Sequence, residues 1–156
     1  MKVYLVRHAE AVAGDEAGSD HDRWLTARGR EQARVLARLL REQGVAPDAV
    51  LSSPLPRALQ TAELVAAGLD FVHVVEVLPS LAPGAHPRVA AGALAAHGAA
   101  VVVIGHEPGI SALGALLLGR PGFPPFRTGQ ACALEDGAPT FTARPDTGQV
   151  VALFVE

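Results

Sequence analysis

Two uninterrupted apolar runs constrain this chain more than any other feature: Val3-Tyr4-Leu5-Val6, directly behind Lys2, and Ala100-Val101-Val102-Val103-Ile104 far along the sequence. Neither alternates with polar residues. Each therefore reads as a strand buried on both faces, which a sheet covered by helices on both sides provides. Each run also ends abruptly in polar chemistry, Arg7-His8-Ala9-Glu10 after the first and Gly105-His106-Glu107 after the second. Ligands in open α/β sheets collect at the carboxyl ends of strands, so histidines delivered there mark a candidate site.

The segments between these runs alternate in type. Ala11 to Asp22, rich in Ala, Gly, Asp and Ser, reads as an exposed loop. Its Asp15, Glu16, Asp20, His21 and Asp22 show no repeated ligand spacing and fit a solvated loop better than a metal site. Thr26 is a plausible N-cap for a helix that stops at Gly44. Ala33, Leu36, Ala37 and Leu40 form its core stripe, while Arg30, Glu31, Arg34, Arg38 and Arg41 lie mostly off it, as a wet face or a surface for an acidic partner.

Ala49 to Ser52 predicts a second strand. Ser53 and Pro54 read as N-cap and first residue of a helix reaching Gly68, which puts Arg57 in its first turn. A cation there opposes the helix macrodipole unless it shares an anion with the free N–H groups. Phe71 to Leu78 predicts a third strand, Pro79 to Pro87 a loop, and Arg88 to His97 a helix. Pro108 starts another helix that ends at Gly119. The tail offers β segments at Gln130–Leu134 and Gln149–Val155, with Gly137 and Pro145-Asp146 as turns. The expected architecture is an α/β, three-layer α/β/α sandwich with a largely parallel central sheet, a single domain over residues 1–156.

Composition narrows the function classes. The net charge of -3 offers no general attraction to nucleic acid or to an anionic membrane, so anion binding must come from locally placed arginines. Cys132 is the only cysteine, which leaves no intrachain disulfide and no cysteine metal set; it reads as a small core residue. No signal peptide precedes Val3 and no apolar run is long enough to span a bilayer, so a cytoplasmic chain is expected. Three β-to-α junctions carry Arg7-His8, Arg57 and His106. If their strands are neighbours, two arginines and two histidines converge, a set suited to a phosphoryl group: guanidinium forks bind its oxygens and a neutral imidazole attacks phosphorus.

The strand ending Arg7-His8, the segment Ser52-Ser53-Pro54-Leu55-Pro56-Arg57-Ala58-Leu59-Gln60-Thr61-Ala62 and the strand ending Gly105-His106 resemble, in order and spacing, the three signature blocks of the histidine phosphatase superfamily. Leu25-Thr26-x-x-Gly29 and Leu78-Pro79-x-Leu81-x-Pro83-Gly84 make the chain most similar to the SixA-type phosphohistidine phosphatases. The resemblance implies a phosphoglycerate mutase-like fold without a large lid insertion. It further implies that His8 is a nucleophile forming a phosphohistidine intermediate, that Arg7 and Arg57 hold phosphate oxygens, and that His106 stabilises the transferring group. Arg23 aligns with a basic position that helps bind substrate, and no metal or organic cofactor is implied.

Two departures accompany the match. Ala9 stands where the commonest block has Gly, and Ser80 stands where larger members supply an acidic proton donor. Glu10 and Glu107 are then the nearest replacement acids, each equally readable as a solvated or helix-start carboxylate. A missing acid leans towards P–N bonds, because a ring-protonated phosphohistidine leaves as neutral imidazole. The expected substrate is a phosphohistidine-bearing phosphotransfer protein of a phosphorelay; a broad phosphomonoesterase acting on small phosphate esters and a non-catalytic phosphate-binding adaptor are the alternatives. His21, His73, His86 and His97 match no block.

Overall fold

In the computed structural model residues 1–153 are described. Strand β1 (Lys2–Arg7) lies at the centre of the sheet, and its apolar run serves two cores. Tyr4 and Val6 point into one core with Leu36, Leu40, Ala62 and Val65, whereas Val3 and Leu5 point into the other with Ala90, Leu94, Ile110 and Leu113. That is why neither face has a polar residue: Leu5 and Val6 are both 0% exposed. Full burial of such side chains stabilises the fold by about 1.5–3 kcal/mol each before entropy is counted.

The first core is closed by α2 (Ala27–Glu42) and α3 (Pro56–Gly68), which come after a short α1 (Gly14–Ala17) and flank β2 (Ala49–Ser52). The second is closed by α4 (Pro87–Ala93) and α5 (Gly109–Leu118), on either side of β4 (Ala100–Gly105). With β3 (Glu76–Val77), β5 (Ala131–Glu135), β6 (Ala138–Arg144) and β7 (Gln149–Ala152), the strand order is β3-β2-β4-β1-β5-β6-β7. The run β3-β2-β4-β1 is parallel, and β5, β6 and β7 add an antiparallel meander. The expected three-layer sandwich is present, with a mixed sheet that is parallel where the strand ends carry the histidines. Among the described residues no helix is long and apolar enough to cross a membrane.

Local boundaries reflect identifiable chemistry. Thr26 caps α2 as expected, its side chain accepting from the Gly29 N–H at 2.9 Å. The α3 boundary is later than expected: Leu55 is the N-cap and Pro56 the first helical residue. Ser53 sits ahead of the helix, where its hydroxyl accepts from the Leu55 N–H at 3.2 Å. The strand expected over Phe71 to Leu78 shrinks to Glu76–Val77, because this edge segment lays Val72 and Val74 open to solvent at 86% and 81% exposure and pairs with β2 only at its end. The helix expected to reach His97 turns into a 3₁₀ segment at Leu94.

The tail holds a strand, β6, that is not among the elements expected from the sequence. Pro139 and the alternating Thr140, Thr142 and Arg144 obscure it, and the proline is accommodated at a register shift opposite Ala133 and Leu134. The expected final segment is realised as Gln149–Ala152, and its Phe154 and Val155 lie outside the described residues. The α2 arginines off the core stripe pair mainly with neighbouring acids: Arg34 with Glu31, Arg38 with Glu42, and Arg41 with Asp70. Such exposed pairs contribute little to stability.

Candidate active site

Parallel pairing of β1, β2 and β4 puts Arg7, Ser52 and Gly105 at one edge of the sheet, so the three junctions seen in the sequence meet there. His8 and His106 face each other with ring centroids 5.1 Å apart, and both are nearly buried at 6% and 5% exposure. Arg57, equally buried at 4%, reaches the same spot from the first turn of α3.

The backbone around His8 is held from several sides. Its N–H donates to Gly105 O at 3.0 Å, its carbonyl accepts from Gly129 N–H at 3.0 Å, and the next N–H, of Ala9, donates to Thr61 Oγ1 at 3.0 Å. Thr61 in turn donates to Arg57 O at 2.8 Å, tying the histidine turn to the arginine helix. Glu10 N–H donates to Gln32 Oε1 at 2.9 Å, and the backbone of Gly29 packs so closely on Glu10 that no side chain fits there. This contact explains the glycine of the Leu25-Thr26-x-x-Gly29 segment. Ala9 is buried and carries no positive φ, so replacing the commoner glycine brings no backbone strain.

Hydrogen bonding assigns the ring hydrogens. His8 Nδ1–H donates to Ala9 O at 2.7 Å, which leaves Nε2 with a free lone pair. Burial lowers the His8 pKa to about 4 against the opposing bond to Ala9, and Arg57, Arg7 and Arg23 lower it further. The ring is therefore neutral at physiological pH. His106 Nε2 lies 2.7 Å from Ser53 Oγ. Since Ser53 already accepts from Leu55, donation of its own hydrogen to Nε2 satisfies both groups and leaves the His106 hydrogen on Nδ1. Burial lowers this pKa too, to about 3, with smaller contributions from His8 and Arg57.

Three buried polar atoms have no partner among the described residues: Arg7 Nε, Arg57 Nε and His106 Nδ1. Unpartnered buried donors cost about 1–3 kcal/mol each, and all three belong to this one site. An oxyanion with three equatorial oxygens would pair them. The rest of each guanidinium is anchored: Arg7 Nη1 donates to Phe126 O at 2.8 Å, and Arg57 Nη1 donates to Asp20 O at 2.7 Å. Arg23 also reaches the site, donating from Nη1 to Asp20 Oδ1 at 3.2 Å and from Nε to Val12 O at 2.7 Å. Beside His106 the surface opens into a cleft of about 330 Å³, lined by Ser80, Leu81, Pro83, His86, Glu107 and Ile110 among others.

The replacement acids have structural partners instead. Glu10 accepts from Thr26 Oγ1 and Arg28 Nη1, and Glu107 accepts from the N–H groups of Ser111 and Phe126, joining the start of α5 to the loop that anchors Arg7. Three other histidines are accounted for: His86 caps α4, His97 pairs with Glu76, and His73 packs edge-on against Phe71. Cys132 is buried, and desolvation raises its thiol pKa to about 11. Among the described residues no group of three or more His, Cys, Asp or Glu is arranged to hold a metal.

Sequence reasoning does not single out Asp20, the tether Thr61 or the hydroxyl role of Ser53. Thr61 carries a readable signal, lying one helical turn after Arg57 on the same face. Asp20 carries none, since an acidic loop residue has no periodicity to read.

The model of the histidine phosphatase superfamily (branch 1) matches residues 3–82. The phosphohistidine phosphatase SixA of Escherichia coli (strain K12) is 36% identical over 148 residues, covering 90% of this chain and 91% of its own length. A structure of the protein histidine phosphatase SixA complexed with tungstate superposes with a TM-score of 0.81 at 32% identity, covering 99% of this chain and 95% of that one. The alpha-ribazole phosphatase of Shigella flexneri shares the fold, with a TM-score of 0.68 at 24% identity over 90% of this chain and 94% of that one.

Proposed function

Because the chain belongs to the histidine phosphatase superfamily, we propose that it hydrolyses phosphohistidine on a phosphotransfer protein through a covalent intermediate on His8. The observation that carries this reading is a neutral His8 with a free Nε2, in a pocket where three buried donors await an oxyanion. In the first step the Nε2 lone pair attacks phosphorus as the bond to the substrate's ring nitrogen breaks, and the electron pair of that bond stays with the departing ring. Arg7, Arg57 and the Nδ1–H of His106 neutralise charge on the equatorial oxygens, as preorganised donors in a water-poor site do most effectively. In the second step water attacks the same phosphorus, releasing inorganic phosphate and restoring neutral His8.

Leaving-group chemistry favours phosphohistidine over an ester. A ring-protonated phosphohistidine departs as neutral imidazole and needs no proton donor, whereas an alkoxide does; Glu10 and Glu107 are both occupied elsewhere. Charge neutralisation by the arginines and His106 suffices for both steps, so the reaction proceeds without a metal in this proposal.

The test is turnover by the purified protein, with a chelator present, on phosphohistidine and on a panel of phosphomonoesters. Preference for phosphohistidine is the expected result, together with an acid-labile, base-stable phosphoenzyme that disappears in His8→Ala. Full activity in His8→Ala refutes the nucleophile, and preference for esters refutes the substrate.

A further inference from the structure

Asp20 stands in the site in a way the two-step scheme does not use. Its carboxylate is the one acidic group bonded to any of the candidate residues among the described residues: Oδ2 accepts from Arg57 Nη2 at 3.3 Å and Oδ1 from Arg23 Nη1 at 3.2 Å. The Asp20 side chain is 61% exposed while that of Arg57 is 5% exposed, so the carboxylate stands at the mouth and the guanidinium forms the wall behind it. The hydrogen bond to Arg23, helped by the charge of both arginines, holds its pKa below the usual value, so it is charged at neutral pH.

The unpartnered donors all lie elsewhere. Arg7 Nε, Arg57 Nε and His106 Nδ1 are free of Asp20, which engages only the far nitrogens of Arg57 and of Arg23. A phosphoryl group can therefore occupy those donors with Asp20 still in place. Asp20 stands on the solvent side of the Arg57 guanidinium, with its side chain 61% exposed, whereas His8 is buried. In-line displacement puts the leaving group opposite the nucleophile, towards the open side of the pocket.

On that basis, which rests on the phosphoryl-transfer reading above, the geometry points to Asp20 as a specificity-determining residue that favours substrates whose leaving group carries positive charge. Ring-protonated phosphohistidine has such a leaving group, and an adjacent carboxylate also favours the protonated ring. An ester has the opposite property, because negative charge develops on its departing oxygen beside Asp20. No proton moves to or from Asp20 in this role. The positive charge is largest before the bond breaks, so the effect falls mainly on KM.

The variant Asp20→Asn isolates the charge. The backbone carbonyl that anchors Arg57 remains, and the amide oxygen can still accept from a guanidinium. One unit charge about 6 Å from another, at a dielectric between that of a protein surface and water, corresponds to about a tenfold effect. Two substrate pairs are compared in wild type and variant: phosphohistidine with p-nitrophenyl phosphate, and phosphocholine with glycerol phosphate. Constants are read as kcat and KM where a compound turns over, and as an inhibition constant where it does not. In the variant the preference for the cationic member of each pair falls about tenfold, mostly through KM. A preference unchanged within twofold, or increased, in both pairs overturns the role of Asp20. Wild type that ignores phosphohistidine but loses its preference for phosphocholine in Asp20→Asn refutes the substrate reading and leaves the role of Asp20 standing.

Discussion

Acid is the perturbation that most directly tests the neutral His8. In water a histidine of pKa about 6.5 is about 97% protonated at pH 5, whereas one of pKa about 4 is about 9% protonated. His8 is thus expected to keep its lone pair through a range in which an exposed histidine would lose it. The same shift sets a stability dependence. The folded pKa lies below the unfolded one, so between about 6.5 and 4 the unfolded chain takes up the proton and the folded one does not. Stability is fully present above the unfolded pKa and is lost as the pH falls towards the folded value. At about 1.36 kcal/mol per unit, His8 alone accounts for about 2 kcal/mol of lost stability between pH 7 and pH 5. His106 acts in the same direction.

Two measurements check this. Nitrogen-15 NMR of His8 should show an Nδ1–H tautomer with no protonation midpoint above about pH 5. Urea unfolding should show that His8→Gln removes about 2 kcal/mol of the wild-type difference between pH 7 and pH 5. A His8 midpoint near 6.5, or a pH dependence unchanged in His8→Gln, refutes the argument from burial.

Two further substitutions probe the framework. Arg57→Ala should lower kcat/KM about a hundred- to a thousandfold, the usual cost of removing a preorganised donor, and an unaltered rate would place Arg57 outside the reacting group's reach. Gly29→Ala should destabilise the protein by about 1–3 kcal/mol in urea unfolding, because its Cβ meets the Glu10 backbone; wild-type stability would mean that this packing is loose.

The residues of the candidate site are legible in the sequence because two physical patterns carry them. Apolar runs buried on both faces stop where the chain leaves the sheet, and the residues at those stops are Arg7-His8 and Gly105-His106. Arg57 stands out because its helix position is unfavourable for stability alone. β3 and β6 are less legible. An edge strand such as β3 meets the sheet on one side only, and its neighbouring valines remain exposed, so hydrophobicity there overstates its length. β6 carries Pro139 and a half-polar face, which a period-two pattern reads poorly.

Layer architecture and the identity of four convergent side chains can be read without a fold in hand, since burial pattern and residue chemistry are local properties. Their wiring belongs to the packed molecule. The free Nε2 of His8 depends on the Ala9 carbonyl, whose peptide is held by the bond from Glu10 N–H to Gln32, and the Nδ1–H of His106 depends on Ser53 at a different strand end. The same holds for the carboxylate at the mouth. Glu10 and Glu107 are nearest the histidines in sequence but are bonded into the scaffold, while Asp20, on a loop with no pattern of its own, reaches Arg57 across 37 positions. A hydrogen bond depends on distance and direction in space, which sequence separation does not encode.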